Sequence, residues 1–196
     1  MDTKNRFTKF IDNLNKLNAK VVVFDLDLTA SKIHSFGALC RIDFDKYVES
    51  ASSDFVEIVP LLIEKGFELA IATFNDEHIK KLFPLLSLNL RNNRLDGMPR
   101  DPNDIIAGEE LVIAFLDHHF GEEIRSKFVI VAKNPNFYSA EKVDKEEHIK
   151  EIADKFNVNI NDCVLFDDQI ANVEGARFPA FLVDGEDGFK LEHFKF

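Results

Sequence analysis

The stretch Val21-Val22-Val23-Phe24-Asp25-Leu26-Asp27-Leu28-Thr29 decides how the rest of the chain is read. Four apolar residues, mostly β-branched and apolar at both alternating positions, describe a strand buried on both faces, with helices expected above and below it. The run ends in two carboxylates one residue apart. Open α/β sheets bind their ligands at the carboxyl ends of the strands, so Asp25 and Asp27 fall where chemistry is expected. If the chain curls as it leaves the strand, one carboxylate can face a substrate as nucleophile while the other, in a different environment, serves as acid. Asp-x-Asp also occurs in turns and calcium loops; the preceding strand and the following Thr29 favour catalysis.

Outward from this strand, apolar periodicity alternates between the two kinds of element. Phe7, Phe10, Ile11, Leu14 and Leu17 recur at helical spacing, which predicts an amphipathic helix over residues 4–17. After Ala30 to Ser53, a polar and aromatic stretch without strong periodicity, Phe55 to Lys65 reads as a helix interrupted by Pro60 and capped by Gly66. Phe67 to Ala72 is a second strand. The following Thr73-Phe74-Asn75-Asp76 caps a helix expected over His78 to Leu86. Residues 87–107 read as irregular connection with room for one short strand. Helices are expected over Glu109 to Phe120, Lys145 to Phe156 and Ile170 to Ala176, and strands over Phe128 to Ala132, Cys163 to Phe166 and Ala180 to Val183. Such alternation predicts an α/β fold of three layers, Rossmann-like, with a mostly parallel central sheet and right-handed crossovers.

Length and composition agree with one domain spanning residues 1–196. A chain of 196 residues buries a full core without staples, and 45% hydrophobic with 30% charged residues is globular composition. The net charge of -11 argues against nucleic acid as a partner, because an acidic surface repels phosphate backbones. Cys40 and Cys163 lie far apart without metal-ligand spacing, which suits a reducing compartment. No stretch is apolar enough for a signal-peptide core or a bilayer span, so a cytoplasmic protein with no membrane partner is expected, although export by a route that needs no cleaved signal would leave the same sequence. Oligomeric state is not encoded in any feature of the sequence.

Three apolar strands each end in a residue suited to phosphate chemistry: Phe24 runs into Asp25, Ala72 into Thr73, and Phe166 into Asp167-Asp168. Taken singly, Thr73 is an ordinary helix cap and Asp167-Asp168 an ordinary turn. In a parallel sheet, however, these ends converge on one cleft.

With Asp25-Leu26-Asp27-Leu28-Thr29, Thr73 after the second strand, a lysine opening a later helix, and Phe166-Asp167-Asp168, the chain resembles the haloacid dehalogenase superfamily of phosphohydrolases over residues 20–185. Lys145-Glu146-Glu147-His148 followed by Val164-Leu165-Phe166-Asp167-Asp168-Gln169 looks most like its small magnesium-dependent phosphatase branch. Ala30 departs from the larger aliphatic residue common at that position. Lys133 and Lys142 compete with Lys145 for the lysine role.

The resemblance implies a mechanism. Asp25 attacks phosphorus and becomes an aspartyl-phosphate, while Asp27 protonates the leaving oxygen and then takes a proton from water. Mg²⁺ is implied by the crowding of Asp25, Asp167 and Asp168, held by the carboxylates of Asp25 and Asp168 and the Asp27 backbone carbonyl, with Asp167 alongside. Thr73, Asn75 and Lys145 would bind the phosphoryl group. Asp27 favours a phosphatase or phosphotransferase over a dehalogenase of that superfamily.

Cap insertions usually choose substrates in this superfamily. Ala30 to Asp54 is long enough only for a flap, so the enzyme is expected to be essentially capless and to act on a phosphorylated protein side chain. In the flap, Ile33, His34, Phe36 and Phe44 either stack on a phosphotyrosyl ring or seal the flap to the core. The expected activity is therefore that of a phosphotyrosine-directed protein phosphatase. A sugar or nucleotide monophosphate phosphatase or phosphotransferase is the alternative, and a silent binding module a third. His118-His119 reads as helix surface, and Glu109 and Glu110 as a solvated face.

Overall fold

A computed structural model of the chain describes residues 3–81, 102–134 and 145–194. Its centre is a five-stranded, wholly parallel sheet of β1 (Val21–Phe24), β3 (Glu68–Thr73), β5 (Phe128–Ala132), β6 (Cys163–Asp167) and β7 (Ala180–Leu182), ordered β5-β3-β1-β6-β7. A separate antiparallel ribbon joins β2 (Ala38–Cys40) to β4 (Ile105–Ala107).

Period-two alternation along the strands divides the core. Val22 and Phe24 of β1, Leu69 and Ile71 of β3, and Val164 and Phe166 of β6 face α1 (Thr3–Lys16), α3 (Ser53–Glu64) and α4 (Glu109–Arg125). Val21, Val23, Ala70, Ala72, Cys163 and Leu165 face α5 (Glu146–Phe156) through Ile149, Ile152 and Ala153. Every β1 residue is therefore fully buried, as an apolar run without alternation requires. Aromatic side chains fill the first face: Phe166 lies between Phe10, Phe24 and Phe189, with ring centroids 5.0–5.7 Å apart.

Several elements differ from expectation. Pro60 does not interrupt α3; it lies inside the helix on its exposed side. The flap is more ordered than its lack of periodicity suggests. It holds β2, a tight turn at Arg41–Asp43 and α2 (Phe44–Glu49), whose Tyr47 and Val48 enter the core. The helix expected over Glu109 to Phe120 does break there: Gly121 takes the non-helical φ 74°, ψ 169°, and a further helical stretch runs on to Arg125. His119 is not simply helix surface: it packs on Phe115 (4.8 Å) and meets the Val48 carbonyl (3.1 Å), tying α4 to α2. Nor is Glu110 idle, since it accepts hydrogen bonds from Arg41 of the flap and from Lys80 in the helical turn that follows β3.

Most of the helix expected over His78 to Leu86, most of the connection expected over 87–107, and Lys142 lie outside the described residues. No helix among the described residues is long and apolar enough to cross a membrane.

Candidate active site

Strand register brings the chemistry-bearing ends together. Phe24 pairs with Ile71 on one side and Phe166 on the other, so Asp25 and Asp167, each the next residue along, end adjacent strands side by side. Thr73 ends β3 on the opposite flank.

Beyond β1 the chain makes a single wide turn, Leu26–Ala30, closed by hydrogen bonds from Ala30 N–H to the Asp25 carbonyl (3.2 Å) and from Ser31 N–H to the Leu26 carbonyl (2.9 Å). Asp27 stays extended and Leu28 takes the left-handed conformation (φ 56°), a strain on the order of 1–3 kcal/mol for a non-glycine residue. That backbone excursion separates two carboxylates only two residues apart: Asp25 turns toward β6, Asp27 toward the flap.

Asp25, Asp167 and Asp168 form one cluster, with a carboxylate oxygen from each lying within 4.8 Å of the others. Lys145, 1% exposed, reaches into it from just before α5. Its Nζ donates to Asp25 Oδ1 (2.5 Å) and to the Ala72 carbonyl, lies 3.3 Å from Asp167 Oδ2, and sits over the Phe74 ring. Burial works against the Lys145 ammonium, but the Asp25 and Asp167 carboxylates outweigh it and hold its pKa above the usual lysine value. Lys133 instead pairs with Glu151, so of the described lysines Lys145 is the one at the cluster.

Burial pushes the Asp25 carboxyl up to about 8, more than the facing Lys145 offsets, and Asp167 adds to the rise. Asp168 is pushed up to about 6 by burial and by Asp167. Asp167 is oriented by donors from Gln169 N–H (2.8 Å) and Asn172 Nδ2 (2.9 Å) on Oδ1, while its buried Oδ2 accepts no hydrogen bond among the described residues. Three hard oxygen donors, Asp167 Oδ2 without a hydrogen bond among the described residues and Asp25 and Asp168 with pKa values raised chiefly by burial, fit a divalent cation, whose charge would work against both rises.

The Asp27 carboxylate points elsewhere. Oδ1 accepts from the Tyr47 hydroxyl (2.5 Å), and Oδ2 from the Ser35 hydroxyl (2.6 Å). His34 Nδ1 lies 3.0 Å from Oδ2, and this contact first of all raises the His34 pKa. When the imidazole is neutral, the Phe36 N–H donates to the same nitrogen (2.8 Å). Tyr47 and Ser35 are absent from the sequence-based site. Phe44, Tyr47 and Val48 do share helical spacing, a short pattern that pointed inward without showing at what.

Thr73, Asn75 and Asp27 line a cavity of about 200 Å³ together with Asp25, Asp168 and Phe36. The Thr73 hydroxyl accepts from Asn75 N–H (3.4 Å), and Asn75 Nδ2 is buried without a partner among the described residues. Behind Thr73, His148 Nε2 donates to the Thr73 (3.2 Å) and Lys133 (2.8 Å) carbonyls. At the rim Phe36 is 81% exposed and stacks on His34 (4.7 Å, 11°), whereas Ile33 and Phe44 pack against the core. The flap thus divides into residues that seal and residues that stay open.

The site can hold a divalent cation beside a buried lysine and present Asp25 and Asp27 to one cavity. No protein-family model matches the chain, and no curated protein matches it.

Proposed function

We propose that the chain is a Mg²⁺-dependent phosphomonoester hydrolase of haloacid dehalogenase type, a single capless domain that works through an aspartyl-phosphate on Asp25. The observation that carries this is the pairing of two carboxylates from one turn with opposite surroundings. Asp25 lies among Lys145, Asp167 and Asp168, and Asp27 is held away from them by hydroxyls.

Asp25 attacks phosphorus, and the bond to the leaving oxygen breaks as Asp27 supplies its proton. Water then attacks the phosphoaspartate, Asp27 takes its proton, and Asp25 is released as carboxylate. Lys145 balances charge at Asp25, while Thr73 and Asn75 donate to phosphoryl oxygens through the hydroxyl and Nδ2. Mg²⁺ at Asp25, Asp167, Asp168 and the Asp27 carbonyl would neutralise the carboxylates and stabilise charge on the transferring group.

The favoured substrate is phosphotyrosine on a protein. A cavity of about 200 Å³ suits a phosphoryl group on a protruding side chain better than a wholly enclosed metabolite, and Phe36 beside His34 offers a flat apolar ledge at the mouth. With Mg²⁺, a phosphotyrosyl peptide should show a higher kcat/KM than phosphoserine peptides or sugar phosphates. Phe36→Ala should lower it several-fold while a small aryl phosphate loses less, as expected for stacking worth ~1 kcal/mol. A preference for sugar or nucleotide monophosphates would replace the protein substrate with a metabolite. Failure to hydrolyse any monoester would leave a binding module.

A further inference from the structure

We infer that Tyr47, assisted by Ser35, is the positioning residue that aims the Asp27 carboxyl at the leaving-group oxygen; this rests on the phosphatase function proposed above. An aspartate carboxyl turns easily about its last torsion, where the energy wells are broad and two-fold. A general acid that turns freely spends much of its time with the wrong oxygen forward.

Tyr47 removes that freedom. Its ring is buried against Phe115 (5.9 Å) with 1% exposure, so the hydroxyl is fixed by core packing, and it donates to Asp27 Oδ1 (2.5 Å). Oδ2 is thereby left as the oxygen that exchanges a proton, on the side where His34 stands at the cavity mouth. Ser35 completes the arrangement. Its oxygen is held by Gly37 N–H (3.2 Å), and its single proton has two acceptors in reach, Asp27 Oδ2 (2.6 Å) and Asn75 Oδ1 (3.2 Å). While Oδ2 carries the proton, the Ser35 hydroxyl turns to Asn75. When the Oδ2–H bond breaks and the proton passes to the leaving oxygen, the same hydroxyl turns back and donates to Oδ2. The second half-reaction runs this exchange in reverse, with the proton arriving from water. No proton is gained or lost by Tyr47 or Ser35 in the cycle.

The test compares Tyr47→Phe with wild type on two aryl phosphates in saturating Mg²⁺. Phenyl phosphate releases a basic phenolate that needs protonation, whereas 4-nitrophenyl phosphate releases one that needs little. General acid catalysis typically contributes ~10²–10⁴-fold, so loss of aim should cut kcat/KM for phenyl phosphate roughly tenfold more than for 4-nitrophenyl phosphate. Ser35→Ala should shift the same ratio less. In an Asp27→Asn background Tyr47→Phe should leave the ratio where Asp27→Asn has put it, because the two act as one unit. Thermal unfolding checks that the variants are folded.

Equal losses on both esters, no loss, or a Tyr47→Phe effect on the ratio that persists without Asp27 would overturn the inference while the phosphatase stands. Wild-type protein that hydrolyses neither ester would overturn the function, and the inference with it.

Discussion

His148 should make this protein sensitive to acid in a window set by its own burial. It is fully buried on α5, and Nε2 donates to the Thr73 carbonyl at the end of β3 and to the Lys133 carbonyl just past β5. Burial first, then the neighbouring Lys145 charge, depresses its pKa from 6.5 to about 4. As pH falls below 6.5 the unfolded chain takes up a proton that the folded chain refuses, so stability present above 6.5 is lost on the way down to about 4. At about 1.4 kcal/mol per pH unit the full loss is ~3 kcal/mol. For a chain of this size that corresponds to a Tm decrease of roughly 10 °C. Asp25 and Asp168 pull the other way in metal-free protein. Their folded values, raised to about 8 and about 6, contribute stability at low pH that is lost as pH rises. The measurement is therefore a difference: urea unfolding of wild type and His148→Gln between pH 7 and 4, in which the carboxylate contribution cancels. The variant, which keeps an amide donor and does not titrate, should lose ~3 kcal/mol less than wild type across the window. Parallel curves for the two proteins would show that His148 is not held neutral.

Asp25→Asn should abolish turnover; activity within about tenfold of wild type in folded, metal-replete protein would reject Asp25 as nucleophile. Mg²⁺ should raise Tm more at pH 8 than at pH 5, because at the lower pH Asp25 and Asp168 are protonated and compete with the cation; calorimetry at the two pH values reads this directly. Asp168→Ala should mimic chelation in an activity assay, Asp167→Ala less completely. Gly108→Ala should cost ~1–3 kcal/mol in urea unfolding, because φ is +61° there and a Cβ would stand 2.8 Å from the Glu77 backbone nitrogen.

The sheet was readable because each buried strand is a run of apolar residues bounded by polar ones, and β1, β5 and β6 fall within a residue of expectation. Convergence of Asp25, Thr73 and Asp167-Asp168 followed from parallel pairing alone. The flap was harder to read. β2 is three residues and α2 six, too short for a period to show, and β2 is held by pairing with the distant β4, Ala38 opposite Ala107 and Cys40 opposite Ile105. Tyr47 and Ser35 were missed for the same reason: nothing local marks a tyrosine whose hydroxyl meets a carboxylate twenty residues earlier in the chain. Glu110 and His119 read as surface because charge and imidazole are usually solvated, and long-range contacts override that preference.

The two halves of the site are tied together by different kinds of bond. Asp25 and Asp27 share one backbone turn, so their separation is covalent geometry locked by Leu28 and two short hydrogen-bonded closures. The acidic cluster instead spans β1 and β6, and its spacing lasts only as long as those strands stay in register. A local opening between β1 and β6 would therefore pull the cluster apart while leaving Asp25 and Asp27 at the spacing their turn sets. Metal occupancy would in this sense be a gauge of sheet integrity, since a cation held by Asp25, Asp167 and Asp168 would clamp the strand pair that builds its own site.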